Sequence, residues 1–289
     1  MKKFAVILLS GILFLAGCST ASSASASSTA SASSASAAAV SSDEMVITVF
    51  QSGKADAMLF ATSEGYVLMD TGLDEDKDDL VKKLQQLGVT KLAALIITHF
   101  DKDHVGGADA IVENFDITHV YTTYITSDND DVLDFQSALT AKNMTMTRVY
   151  NTSMTLGGAV FDINGAAGNY DSNKDNNSSL ITMVTFGSKK YLFMSDAEDE
   201  RIEEYLASHD ADADFLKVPY HGYYQDDLEL LFDTVTPSAA VITNSKSNPS
   251  SSDLKKTETL LKNVGASYYE TSSGAVTITC TQDSFTVTQ

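Results

Sequence analysis

Two imidazoles and two carboxylates, His99, Asp101, Asp103 and His104, stand within six residues. These ligand types hold a borderline divalent cation. They follow the apolar run 92–97, short and β-branched at its end, which reads as a buried strand. Gly106 and Gly107 come next; lacking a Cβ, they let the following segment approach the metal loop closely. Three more positions at strand ends carry suitable side chains. Asp196 follows the strand 191–194, where a carboxylate can bridge two cations. His221 follows the strand 215–218, and the turn made by Pro219 and Gly222 would present its imidazole edge-on. Asp70 closes the strand 66–69 and can sit behind a ligand as the acceptor that orients it.

The elements that must position these residues are readable from periodicity. Strands are expected at 45–50, 57–61 and 66–69, with a turn at 63–65. Residues 74–87 form an amphipathic helix with Leu80, Val81, Leu84 and Leu87 on one face, acids in its first turn and Gly88 after its end. A helix from about 107 to 114, a strand 118–122, a helix 131–142 and a strand 146–149 follow. The stretch 155–158 reads as a turn before the strand 159–163, and 169–177 as a loop without an apolar aliphatic residue. A hairpin of 180–186 and 191–194 leads to a helix 199–208, a strand 215–218, a helix 226–232, a strand 239–243 and a helix 254–264. Strands 267–270, 275–280 and 284–288 finish the chain. Two batches of strands, each followed by alternating strand and helix, fit an α/β fold of two stacked sheets inside two helical layers.

The start of the chain reads as a targeting segment. Met1-Lys2-Lys3 is basic, residues 4–16 are almost wholly apolar, and Cys18 stands at the expected cut, which resembles the bacterial lipobox. We expect a signal peptide over 1–17, a lipid on the Cys18 thiol, a flexible Ser/Ala tether over 18–42 and one folded domain over 43–289. This places the protein at the cell surface, on the outer face of the bacterial cytoplasmic membrane, with that membrane as a partner through the lipid. Cys280 is the only other cysteine, in an alternating strand, and reads as inert. The net charge is −20; cleavage before Cys18 removes two lysines, leaving −22. Such a chain repels phosphate backbones unless a local cation intervenes, which argues against tight sequence-independent nucleic-acid binding but not against cleavage of a phosphodiester.

Taken together, Asp70-Thr71-Gly72, the stretch from His99 to Gly107, Asp196 and Pro219-Tyr220-His221-Gly222 resemble the metallo-β-lactamase superfamily in order and spacing. The closer resemblance is to the hydrolase domain of the bacterial competence DNA-uptake channel and its free-standing relatives. Residues 51–57, Asp101 in place of a second histidine, the run 176–180 and Leu216-Lys217-Val218-Pro219 carry it. The resemblance implies a four-layer αββα sandwich and a metal-dependent hydrolase with one or two divalent ions, zinc or manganese foremost. His99 and Asp101 would bind one metal, Asp103, His104 and His221 the other, with Asp196 bridging. A hydroxide shared by the cations would attack, oriented by the ligand Asp103.

The departures are Asp101, a harder donor than imidazole, and the absent third histidine, near which Asn177 or Ser178 stands. Tyr220 replaces the first histidine of the usual pair, Ser195 replaces a glycine, and Asn248-Pro249 lacks a histidine. The resemblance thus favours a phosphodiester hydrolase acting on a small phosphoester or a nucleic acid. A lactone or lactam hydrolase and a degenerate binding lipoprotein stay open. Asp70, Asn177, Tyr220 and Tyr223 are candidates to support a ligand or touch substrate. His119 and His209 read as surface or packing residues, and Lys102 as solvated.

Overall fold

The computed structural model describes residues 40–168, 170 and 174–289. The expected signal peptide, Cys18 and the tether up to residue 39 lie outside the described residues, as do residues 169 and 171–173 of the expected loop. The chain first lays down β1 (Glu44–Val49), β2 (Met58–Thr62) and β3 (Gly65–Met69), an antiparallel meander. Parallel β4 (Lys91–Ile97), β5 (Asp116–Thr122) and β6 (Thr147–Arg148) extend it. A second sheet follows: β7 (Asn151–Leu156), β8 (Ala159–Asn164), β9 (Ile181–Phe186) and β10 (Lys189–Phe193) are antiparallel. To them are added parallel β11 (Phe215–Lys217), β12 (Ala239–Ile242) and β13 (Ser267–Glu270). The chain then returns to the first sheet with β14 (Val276–Thr281) and β15 (Phe285–Thr288). Among the described residues the orders are β15-β14-β1-β2-β3-β4-β5-β6 and β13-β12-β11-β10-β9-β8-β7.

Strand periodicity explains the stacking. Along β1 only Met45, Ile47 and Val49 are buried, every second residue, so one face turns inward. They meet Phe161, Val184, Phe193 and Phe215 of the second sheet in one core. Phe60 lies edge-on to Phe161 and Phe193, with ring centroids 5.3 and 5.0 Å apart. Each such buried ring is worth about 1.5–3 kcal/mol of transfer free energy. The other face of β4, through Leu92, Leu95 and Ile97, packs on α1 (Lys77–Gln86), α3 (Ala108–Asn114) and α4 (Asp130–Ala141). Leu192, Leu216 and Ala240 of the second sheet pack on α6 (Asp199–Ser208), α7 (Leu228–Val235) and α8 (Ser251–Asn263). Two sheets inside two helical layers make the expected αββα sandwich.

Four local expectations need correction. A one-turn helix, α2 (Lys102–Val105), precedes α3 inside the expected metal loop. Residues 151–156 form the hairpin strand β7, joined to β8 through Gly157 and Gly158 at φ 55° and 83°, a turn only glycine enters freely. The end of the expected loop 169–177 is another single helical turn, α5 (Lys174–Asn177). Helix α7 starts and ends later than 226–232 and stops where Thr236 turns left-handed at φ 47°.

Candidate metal centre

The chemistry-bearing residues leave the carboxyl ends of parallel strands, where α/β layers collect polar groups. Asp70 follows β3, Thr98 and His99 follow β4, Ser195 and Asp196 follow β10, His221 follows β11 and Thr243 follows β12. Both sheets therefore deliver ligands to one edge of the sandwich. Gly106 and Gly107 do allow a close approach, but to the segment after β3. A Cβ on Gly106 would sit 2.4 Å from the Asp74 amide nitrogen, and one on Gly107 2.6 Å from the Thr71 carbonyl. Thr71 N–H and its hydroxyl both donate to the His104 carbonyl, at 2.8 and 2.9 Å, and Asp56 N–H donates to the Asp103 carbonyl at 3.0 Å. The ligand turn is thus clamped from two sides by backbone.

Three imidazole edges converge. Asp196 Oδ2 lies 3.3 Å from His104 Nε2 and 2.9 Å from His221 Nε2, and Asp103 Oδ2 lies 3.3 Å from His221 Nε2. The rings of His99 and His104 are 4.1 Å apart. Two groups have ligand atoms close enough to share an ion: His99 with His104 and Asp196, and Asp103 with His104 and His221. A third, Asp56 with Asp70 and His104, is closed by its own bonds, described below. Asp101 is half-exposed, its Oδ2 3.7 Å from His99 Nε2, and it joins none of these groups. His99, His104 and His221 are fully buried, and among the described residues the only side-chain polar partners of their Nε2 atoms are the carboxylates of the same cluster. Buried polar atoms normally find partners. Three buried imidazole nitrogens turned toward shared carboxylates, with no neutral partner among them, fit a divalent cation.

The three histidines are braced unequally from behind. Asp70 is fully buried; its Oδ1 accepts from Thr98 N–H, and its Oδ2 accepts from the Thr98 hydroxyl and His104 Nδ1, all at 2.8 Å. His104 thus carries its proton on Nδ1 and turns Nε2 to the site. His221 Nδ1 donates to the Thr243 carbonyl at 3.1 Å. The His99 Nδ1 has only longer contacts, to Thr98, Ser179 and Ser195 hydroxyls at 3.2, 3.4 and 3.5 Å. Ser195, where a glycine was expected, holds φ at 52° and donates to Thr98 Oγ1 at 2.6 Å. Among the described residues, Asp70, Ser195, Tyr220 and His221 make up four of the six non-glycine residues with positive φ. Such conformations persist where surrounding structure over-determines them, and they cluster at functional sites.

The charges are strongly coupled. Burial alone would lower the His104 and His221 imidazoles, but the Asp196 carboxylate, with Asp70 at one and Asp103 at the other, raises both. Burial alone would raise Asp103 and Asp196, but the histidine charges, and Lys54 for Asp103, hold both well below the usual carboxylate range. Without metal, protons on imidazole neutralise the acids; a cation would take their place.

Of the predicted residues, the structure brings together His99, Asp103, His104, Asp196 and His221, with Asp70 behind them. Asn177 is buried and faces α6: its Oδ1 accepts from Glu198 N–H at 3.1 Å and its Nδ2 donates to Glu200 at 3.2 Å. Tyr220 and Tyr223 are half-buried, their rings 5.0 Å apart, and Tyr220 lies 6.4 Å from the His221 ring. His119 is exposed and stacks on Tyr121, while His209 stacks on Tyr205. Residue reading missed two lysines. Lys217 is fully buried; its Nζ lies 2.6 Å from Asp56 Oδ2 and 3.6 Å from Asp196 Oδ1, and donates to the Ser195 carbonyl at 3.0 Å. Burial would lower its ammonium, but Asp56 and Asp196 raise it. Lys54, 39% exposed, lies 2.5 Å from Asp103 Oδ2. Both stand in stretches quoted for the family resemblance. A charged residue in an otherwise apolar strand, as Lys217 is in β11, was the available signal.

Comparison with known proteins bears on the fold around this centre. A sequence profile of the metallo-β-lactamase superfamily matches residues 53–141, which contain Asp70 and the stretch His99–His104 but not Asp196 or His221. ComE operon protein 3 of Bacillus subtilis (strain 168) is 25% identical over 228 residues, covering 72% of this chain and 29% of that protein. Competence protein ComA of Neisseria gonorrhoeae is 34% identical over 74 residues, covering 25% of this chain and 11% of that one. The chain therefore spans well under two thirds of the length of these relatives. Among solved structures, the metallo-β-lactamase fold protein YhfI from Bacillus subtilis superposes with a TM-score of 0.53 at 14% identity, over 79% of this chain and 96% of that one. Zn(2+)-bound PqqB from Methylobacterium extorquens gives 0.52 at 12% identity, over 78% and 97%. At such identities the structures speak for the fold alone, which both share. Residues 53–141 thus match the superfamily's profile, and the described chain folds as the metallo-β-lactamase αββα sandwich.

Proposed function

We propose that the protein is a metal-dependent hydrolase of phosphodiester bonds, exported and held at the outer face of the cytoplasmic membrane by a lipid on Cys18. The fold supports a metal-dependent hydrolase in general; the phosphodiester and the lipid are our reading. The observation that carries the substrate class is Lys54, a partly exposed ammonium beside the ligand Asp103. In a chain of net charge −20, a cation fixed at this point gives an anionic substrate a local attraction that the bulk surface denies it.

The residues divide the labour as follows. Asp103, His104, His221 and Asp196 would hold a cation, with His99 and Asp101 offering ligands for a second. Such a cation supplies Lewis acidity toward a phosphoryl oxygen and makes a water more acidic. Asp70 and Thr243 keep the His104 and His221 Nδ1 atoms protonated, so both Nε2 edges face the cation. Lys54 draws the phosphate anion and pairs with its charge. Tyr220 and Tyr223 are half-buried beside His221, where a phenol can support the leaving group.

The experiment is turnover of a chromogenic phosphodiester by chelator-stripped protein with zinc or manganese restored, beside a chromogenic lactam and lactone. The reading expects phosphodiester turnover that needs metal and vanishes in an Asp103→Ala, His104→Ala double variant. Turnover of the lactam or lactone alone would replace it with the alternative hydrolase, and turnover of none in metal-loaded protein with a binding role. For the anchor, Cys18→Ser should move the protein from the membrane fraction to the soluble one; unchanged partition would refute the lipid.

A further inference from the structure

We infer that this centre holds one divalent cation tightly, on Asp103, His104, His221 and Asp196, and that the buried Lys217 ammonium stands in for the second cation's charge on Asp196. The inference rests on the reading of these residues as a metal centre and goes beyond it in stoichiometry and in the role of Lys217.

The first argument is a count of lone pairs. Both candidate ion groups draw on His104. Its Nδ1 is committed to Asp70 at 2.8 Å, and Asp70 accepts only. One nitrogen, Nε2, is left, and it has one lone pair. The cation that takes it deprives the other group of a ligand. If the ion sits with Asp103 and His221, the His99 group keeps one imidazole, a share of Asp196 and the half-exposed Asp101, 3.7 Å away. The reverse arrangement would leave Asp103 and His221 facing each other at 3.3 Å with no ion between them.

The second argument is orientation. Asp196 Oδ2 already faces His104 Nε2 and His221 Nε2, at 3.3 and 2.9 Å. Its Oδ1, the atom a bridging carboxylate would give to a second ion, is buried without a hydrogen bond, 3.6 Å from Lys217 Nζ. That ammonium cannot swing away. It is fully buried, paired with Asp56 at 2.6 Å and bonded to the Ser195 carbonyl at 3.0 Å, next to Asp196 in the chain. A second divalent ion on Oδ1 would be placed close to a fixed positive charge in a poorly solvated site, where such repulsion is costly. The third argument is rigidity: the His99 Nδ1 contacts of 3.2–3.5 Å hold its ring less firmly than those behind His104 and His221. Loss of such support typically lowers metal affinity about 10–100-fold.

The test is metal binding without turnover. Chelator-stripped protein is titrated with zinc and, separately, with manganese, and the bound ions are counted by native mass spectrometry and calorimetry. We expect one tight equivalent per chain and a second at least ~10-fold weaker. His99→Ala should keep the tight equivalent and His221→Ala should lose it. An Asp56→Asn, Lys217→Met double variant, which removes both charges together, should strengthen the second equivalent. Two equally tight ions in the parent would overturn the inference while leaving the metal centre standing, whereas no bound ion would overturn both. Loss of the tight ion in folded His99→Ala would overturn the assignment of the ion to the Asp103 side. An unchanged second equivalent in the folded double variant would overturn the role of Lys217. Circular-dichroism melting checks the fold of each variant. If the double variant does not fold, the parent stoichiometry and the two histidine variants still decide the stoichiometry, and Lys217→Gln replaces it in the test of Lys217.

Discussion

Asp70→Asn is the sharpest perturbation of the centre, because it removes a charge and one acceptor without changing shape. The backbone at Asp70 is left-handed, φ 56°, a conformation that Asn tolerates about as well as Asp. The side chain, however, must satisfy three donors: Thr98 N–H on one oxygen, and the Thr98 hydroxyl and His104 Nδ1–H on the other. An amide has one oxygen. Placed toward His104, it leaves its NH2 facing the Thr98 N–H; placed toward Thr98, it leaves the NH2 facing the His104 Nδ1–H. The first arrangement strands a buried donor, at a cost of about 1–3 kcal/mol. The second pushes the His104 proton onto Nε2 and removes the lone pair the cation needs. Both weaken metal binding, by about 10–100-fold, or about 1.4–2.8 kcal/mol. Urea unfolding in chelator reads the first cost, and competition against a chromophoric chelator reads the second. A folded Asp70→Asn variant that binds zinc and manganese as tightly as the parent would refute the argument that Asp70 sets the tautomer of His104.

Three further outcomes follow from the same geometry. Lys217→Met alone strands the buried Asp56 carboxylate and should destabilise the chain by about 3–5 kcal/mol in urea, whereas the Asp56→Asn, Lys217→Met pair should recover most of it. Equal losses for the single and double variants would show that the pairing is not what Lys217 contributes. Gly106→Ala drives a Cβ to 2.4 Å from the Asp74 amide nitrogen, a backbone contact that cannot rotate away. A loss of about 1–3 kcal/mol is expected on thermal melting, against little change for Gly53→Asn, whose side chain enters open space in a conformation Asn accepts. The pH dependence has a definite sign. The His104 and His221 pKa values are raised in the folded metal-free chain, so their stabilising contribution is full below ~6.5 and fades as pH rises through the raised values. Asp103 and Asp196 are depressed, so theirs is present above ~3.8 and lost as pH falls. A cation must displace the imidazole protons, so the melting-temperature gain on adding zinc should grow as pH rises above ~6.5. A gain that shrinks over that range would contradict the proton displacement.

How much of this was legible in the sequence depends on how far apart the cooperating residues lie. His99, Asp101, Asp103 and His104 announce themselves because four ligand types fall on one turn after a clear apolar strand. Asp70, Asp196 and His221 are legible for a related reason, each standing just beyond a β-branched or aromatic run. The strands themselves follow from period-two burial, as in β1. Where the pattern is weak, reading fails. The strand β7 is an edge, only half-buried at alternate residues and rich in Ser, Thr and Asn, so its sequence looks like the turn that follows it. The helix α2 is one turn long, and its ligand residues carry no amphipathic period.

The partners of the ligands were illegible on different grounds. The Asp56–Lys217 pair joins the segment before β2 to the end of β11, and the Thr98–Ser195 hydroxyl contact joins the segment after β4 to the one after β10, one from each sheet in both cases. Nothing local in either segment specifies the other; only stacking the sheets brings them together. Yet it is this layer that separates the readings the sequence left open. Ligand types alone allow two ions as readily as one. A buried ammonium 3.6 Å from Asp196 Oδ1, a single free nitrogen on His104 and a loosely held His99 favour one, as inferred above. The same residues also bear on Asp101. Its carboxylate is half-exposed and outside both ion groups, so its departure from the histidine pattern removes a ligand from the side that Lys217 already disfavours. On this reading Asp101 and Lys217 act on the same side of the centre. If restoring a histidine at position 101 by Asp101→His brought in a second tight zinc while Lys217 stayed in place, the loss of the first site would trace to that one ligand, and Lys217 would be support for Asp196 and nothing more.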